Sequence, residues 1–182
     1  MTKKKLFILC GPAGCGKSTW VHKHKTPVDC VISRDVIRLS MLSDDEDYFS
    51  HEDEVYKEFI KEIKDALESK EVGSVFVDAT HLNKWSRRKL LRSLGASLKN
   101  IEVNAVALKV PLDVAIEQNS HRTGRANVPN NVIKEMYDNY TIPTIEEGFD
   151  VVWQAIYQPK NNTFTYIADI KNINEYYAES EV

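Results

Sequence analysis

The chain has 182 residues, 42% of them hydrophobic, which suits one domain with a filled core. Its formal charge of −3 argues against a sequence-blind basic coat on nucleic acid but leaves room for a locally basic channel. Cys10, Cys15 and Cys30 have no metal-ligand spacing and no stretch approaches transmembrane length, so a reduced, cytoplasmic setting away from membranes is the simplest reading.

The opening Met1-Thr2-Lys3-Lys4-Lys5 imitates a signal peptide, but the apolar run behind it is too short. Along the chain, short apolar runs alternate with longer helical patterns. Strands are expected over 5–10, 29–32, 74–78, 101–109 and 150–157, and helices near 17–24, 35–42, 52–69, 84–94, 112–121 and 130–139. That alternation predicts an α/β fold, a central parallel sheet with helices on both faces. In the helix over 52–69, Val55, Phe59, Ile63 and Ala66 recur at helical spacing and face the core. The acid-dense segment from Leu42 to Asp53, with Asp44, Asp45, Glu46 and Asp47 in a row, reads as a solvated loop rather than a metal site. A short strand, Thr163 to Ile167, and a polar end complete a single domain over 1–182 whose core is 4–157.

The first strand runs into Gly11-Pro12-Ala13-Gly14-Cys15-Gly16-Lys17-Ser18, which matches G-x-x-x-x-G-K-[ST] at each fixed position, with Thr19 beside it. The glycines let backbone N–H groups turn inward on phosphate oxygens, and the helix that follows adds the positive end of its dipole. Lys17 then reaches the β- and γ-phosphates and the Ser18 hydroxyl binds Mg²⁺, so a nucleoside triphosphate, ATP by default, and Mg²⁺ are the expected ligands.

Three further motifs decide among the many users of such a loop. In Ser33-Arg34-Asp35-Val36-Ile37-Arg38 the second strand delivers a carboxylate, with a cation three residues on and so on the same helical face. Asp35 suits a general base for an acceptor hydroxyl and Arg38 a clamp on an anionic part of that acceptor; the plainer reading is a helix cap and a surface pair. Val75-Phe76-Val77-Asp78-Ala79-Thr80 ends a buried strand in an acid and a hydroxyl, the arrangement in which Asp78 supports Mg²⁺ through water or orients nearby groups, with Asp78 and Thr80 at the substrate. Capping the next helix is the alternative for Asp78, although Asn83 can serve as that cap. Finally, Asn119-Ser120-His121-Arg122-Thr123-Gly124-Arg125 looks like a lid whose Arg122 closes over the transferring phosphoryl, with Arg125 beside it on the nucleotide; the plainer reading is cations drawn to a helix C-terminus.

On these residues the chain resembles the P-loop 5′-hydroxyl polynucleotide kinases of nucleic-acid end repair, over roughly residues 4 to 157. Ser33-Arg34-Asp35 with Arg38, Asp78-Ala79-Thr80-His81-Leu82-Asn83, and Gln118-Asn119-Ser120-His121-Arg122-Thr123 stand at that family's acceptor, strand-end and lid motifs, and Val128-Pro129 and Met136 are in family style. The resemblance implies Lys17 and Ser18 on the triphosphate and metal, Asp35 as general base, Arg38 on the phosphate adjoining the acceptor end, and Arg122 as the lid arginine. It further implies a tunnel entered by donor and acceptor from opposite ends, and a nucleic-acid 5′-hydroxyl end as substrate. Gln118 departs from the family, which has an arginine there, and bears on nucleotide contacts rather than on the chemistry. No phosphatase or ligase motif is present, so the expected kinase works alone or beside separate repair enzymes.

The same loop, base and lid also serve kinases of small alcohols, sugars and nucleosides, and an altered lid fits a non-catalytic ATP-binding module. A basic helix, Lys84, Arg87, Arg88, Lys89 and Arg92 around Trp85, is either a track for a nucleic-acid backbone or a solvated face with Trp85 packed inward. Among the histidines only His81 and His121 stand where they can touch nucleotide or acceptor.

Overall fold

A computed structural model describes residues 3–170, so the polar end expected of the chain lies outside the described residues. Six strands form one sheet: β1 (Lys4–Cys10), β2 (Cys30–Ser33), β3 (Val75–Asp78), β4 (Ile101–Lys109), β5 (Val151–Gln158) and β6 (Thr163–Ile170). Their order across the sheet is β2-β3-β1-β4-β5-β6. Among the described residues six α-helices connect them: α1 (Lys17–His24), α2 (Arg34–Met41), α3 (Glu52–Glu68), α4 (Lys84–Leu94), α5 (Leu112–Ser120) and α6 (Asn130–Asp138).

Side chains alternate across β1, so Leu6, Ile8 and Cys10 join one apolar cluster and Leu9 joins another. The first cluster takes Ile37 of α2, Leu90 of α4 and the α3 stripe Val55, Phe59, Ile63 and Ala66. The second takes Trp20 and Val21 of α1. Burying each large apolar side chain of that stripe contributes about 1.5–3 kcal/mol, which is what holds α3 against the sheet. Lys4 Nζ closes the far end of α3 by donating to the carbonyls of Ala66 (3.2 Å) and Leu67 (3.0 Å), a cation on the negative end of the helix dipole.

The sheet is not parallel throughout. β1 through β5 pair parallel, but β6 pairs antiparallel with β5 and extends to Ile170, beyond the Ile167 expected for it. A short connection through Asn162, at φ 52°, reverses the chain, and a tight turn joins only antiparallel neighbours, whereas a parallel one needs a long crossover. The strand ends that matter lie side by side: β3 sits between β1 and β2, and Ser33 is in register with Asp78. The phosphate loop, the acceptor motif and the Asp78 motif therefore emerge at one edge, where parallel sheets place their ligands.

Candidate active site

The phosphate loop follows β1 and ends at Gly16, the residue that caps α1 at φ 83°. Gly14, at φ 78°, has the tighter constraint, since a Cβ there would meet the Ala115 carbonyl oxygen at 2.2 Å. α5 thus lies directly against the loop, and only glycine permits that approach. Gly11 N–H donates to Thr80 O at 2.9 Å and the Tyr140 hydroxyl donates to Cys10 O at 2.9 Å, which ties the start of the loop to β3 and to the segment after α6. Cys15 is buried within the loop, and burial raises its thiol above the ordinary range, while burial pushes the Cys10 thiol up to about 12. Lys17 Nζ donates to the carbonyls of Gly11 (2.9 Å) and Pro12 (2.7 Å), and the Ser18 hydroxyl donates to Asp78 Oδ2 at 2.7 Å.

That Ser18–Asp78 pair tests the fit of a metal. A hydroxyl and a carboxylate within one hydrogen bond of each other, beside a phosphate loop, are the hard oxygen donors that Mg²⁺ takes. Asp78 is free for it because Asn83 caps α4 instead, accepting from Ser86 N at 3.0 Å.

At the end of β2, Ser33 caps α2, its hydroxyl accepting from Val36 N at 3.5 Å, so Asp35 is not used as the cap. Asp35 Oδ1 accepts from Arg38 Nη1 at 2.7 Å and from the Tyr48 hydroxyl at 2.9 Å. The pair is asymmetric: the Arg38 side chain is 6% exposed and that of Asp35 71%. Arg38 continues through Nη2 to Glu52 Oε2 at 2.7 Å, Arg34 also bonds Glu52, and the Arg38 guanidinium lies over the rings of Tyr48 (4.7 Å) and Phe49 (5.3 Å). Burial, then the Asp35 charge, push the Tyr48 hydroxyl up, which keeps it a donor. Tyr48 and Glu52 are the partners that the sequence analysis missed, since nothing in the acid-rich run marks the residues that fold back on α2.

The lid spans the turn between α5 and α6. Buried Asn119 donates to Asn127 Oδ1 (2.9 Å) and Val128 O (2.7 Å) and accepts from Val128 N (3.1 Å), so one side chain clasps both ends of the turn. Arg122 and His121 are exposed within it. Gln118 Oε1 lies 3.8 Å from where a Gly16 Cβ would stand, which puts the altered lid position at the phosphate loop. Arg125, expected on the nucleotide, donates from Nη2 to the carbonyls of Ser43 (3.2 Å), Asp44 (2.8 Å) and Glu46 (2.9 Å), bridging the lid to the acid-rich loop.

Two expectations need correction. His81 is buried at 6% exposure beside Phe59, with Nε2 unpartnered, so its ring does not open onto ligand space; burial, then the charge of Arg34, brings its pKa down to about 3. The basic helix is not uniformly basic outside: Arg87 is fully buried, pairing Nε with Glu147 Oε2 and Nη2 with Glu147 Oε1, both at 2.7 Å, and donating to the carbonyls of His81 (3.1 Å) and Thr141 (2.9 Å). Trp85, by contrast, is 67% exposed rather than packed inward. The reason is helical phase, because α4 turns Arg87, Leu90 and Leu94 to the core and leaves Trp85 outside.

The sheet order, phosphate loop and lid together define a P-loop kinase domain. The AAA_33 family, an AAA domain, is matched over residues 6–143, and the chain belongs to that family. A curated relative, the L-seryl-tRNA(Sec) kinase of Methanococcus maripaludis, is 32% identical over 159 residues, covering 80% of this chain. The chain spans 56% of that relative's length. A putative kinase from Chloroflexus aurantiacus has the same fold at TM-score 0.69 and 14% identity, over 99% of this chain and 97% of its own. A fungal RNA kinase matches at TM-score 0.59 and 17% identity, over 85% of this chain and 38% of its own.

Proposed function

We propose that this domain transfers the terminal phosphoryl group of ATP to the 5′-hydroxyl end of a polynucleotide. The observation that carries the reading is the Asp35–Arg38 pair beside the Ser18–Asp78 pair at one sheet edge. Asp35 has one oxygen engaged by Arg38 and Tyr48, which leaves the other to accept the proton of an attacking hydroxyl. Arg38, buried under two aromatic rings, suits an acceptor that carries a phosphate close to its hydroxyl, as a polynucleotide end does. In the reaction the acceptor oxygen bonds to the γ-phosphorus, the β–γ phosphoanhydride bond breaks, and the hydroxyl proton goes to Asp35. Lys17 trades its loop carbonyls for phosphate oxygens, and Arg122 neutralises charge on the transferring group. Ser18 and Asp78 would hold Mg²⁺, which supplies charge neutralisation at the phosphates when bound. The match to an L-seryl-tRNA(Sec) kinase favours a second acceptor of the same kind, a hydroxyl carried by RNA through an aminoacyl group.

The test is transfer of label from γ-labelled ATP to 5′-hydroxyl single-stranded DNA and RNA, to seryl-tRNA, and to small polyols. Label at the 5′ end, lost in Lys17→Ala and Asp35→Asn, is the expected result. Label on seryl-tRNA or a polyol alone, or nucleotide binding with no transfer to any acceptor, would overturn it.

A further inference from the structure

The basic helix carries a feature that the chemistry at Asp35 does not use. Over eleven residues α4 contains no acid, and Lys84, Trp85, Arg88, Lys89 and Arg92 are exposed along it, in a chain whose overall charge is −3. Lys84, Arg88 and Arg92 recur every fourth residue, and Trp85 and Lys89 form the adjacent stripe, so the cations and the indole share one side of the helix.

An unbroken series of contacts joins this stripe to the acceptor residues. Lys89 Nζ lies 5.4 Å from the Trp85 ring and 4.4 Å from the Tyr56 ring, and the Arg34 guanidinium covers the same Tyr56 ring at 5.2 Å. Arg34 bonds Glu52, Glu52 accepts from Arg38, and Arg38 donates to Asp35. Arg88 reaches back to Glu146 O at 3.5 Å, so the outer row stays anchored to the body of the domain.

From this geometry we infer that the face from Arg34 through Lys89 to Trp85 is the track on which the body of a single-stranded acceptor lies, its 5′ end at Asp35. Trp85 stacks on an unpaired base and Lys89 and Arg34 meet the intervening phosphates. This rests on the polynucleotide reading above. An exposed indole alone says little, but an indole flanked by cations and continuous with a phosphate-reading arginine is the combination of stacking platform and electrostatic groove that single strands use. A small alcohol would fill the Asp35 end and leave this face bare. From Arg34 the track passes the Tyr56 ring and Lys89 before it reaches Trp85, so a short acceptor held at Asp35 contacts fewer of these groups than a long one.

The experiment compares kcat/KM for a 5′-hydroxyl dinucleotide and a 12-mer in the parent chain, Trp85→Ala and Lys89→Ala, with ATP binding and thermal unfolding checking that each variant is folded. The expected result is a 12-mer advantage that falls by about tenfold in Trp85→Ala, through KM rather than kcat. Lys89→Ala should lower the slope of log affinity against log salt by about one. Tryptophan emission, read without turnover, should be quenched by the 12-mer and not in Trp85→Ala. An unchanged advantage in both variants, with transfer intact, overturns the track and leaves the function standing. Equal quenching by poly-glutamate would assign the face to an acidic protein and also overturn it. Failure of transfer to every oligonucleotide removes the function itself and the track with it.

Discussion

Asp35 holds its two oxygens in different settings, one fixed by Arg38 and Tyr48 and the other left to solvent, a division that suits the general base proposed for it. Asp35→Asn is expected to lower kcat by about 10²–10⁴-fold with nucleotide binding retained, as steady-state and binding measurements would show. Tyr48→Phe removes one hydrogen bond of about 1 kcal/mol and should cost roughly fivefold, a grading that would separate the proposed base from the residue that steadies it. His81 supplies a prediction about stability. Its native pKa near 3 lies below the ordinary 6.5, so the unfolded chain binds a proton that the native chain refuses. Stability from this group is complete above pH 6.5 and is lost as pH falls toward 3, at up to about 1.4 kcal/mol per pH unit. Urea unfolding at pH 7, 6, 5 and 4 should show that slope reduced in His81→Asn, a replacement that tolerates the positive φ of the site. At this scale the sequence was legible where spacing is rigid, in the glycine loop that leads into α1 and in the Asn83 cap of α4. It was silent at Tyr48 and Glu52, whose partners lie 13 and 14 residues away across a loop of no regular period.

The elements were legible because their apolar periods are strong: the α3 stripe and the five parallel strands come directly from the pattern. What the pattern lacks is direction and pairing. The orientation of β6 depends on the turn after β5, and the inward turn of Arg87 depends on a glutamate 60 residues on. That buried pair fastens α4 to the turn before β5, and breaking it strands a charge. Glu147→Gln should destabilise the domain by about 3–5 kcal/mol, measured as a fall of roughly 10 °C in Tm, whereas Lys61→Gln, which opens an exposed pair, should leave Tm nearly unchanged. Gly14→Ala acts between elements too, because its methyl would drive α5 off the phosphate loop. Loss of nucleotide binding is expected, read by isothermal titration.

In the proposed reaction, the molecule as a whole sets a donor half, the phosphate loop and lid, against an acceptor half, α2 and the loop that precedes α3, with the β3 end between them. Arg125 belongs to the first half by sequence and touches the second by contact, since its Nη2 reaches three carbonyls of the acid-rich loop. If the proposed transfer holds, a contact shared in this way is a route by which the two substrates become thermodynamically interdependent. Whatever factor the acceptor adds to ATP affinity, ATP must return to the acceptor, and a factor above unity disfavours filling one half alone, where water would be the default acceptor. Arg125→Ala should bring that factor toward unity and raise ATP hydrolysis in the absence of acceptor. In this view the bridge is a device for fidelity, tying commitment of the triphosphate to arrival of the hydroxyl that will receive it.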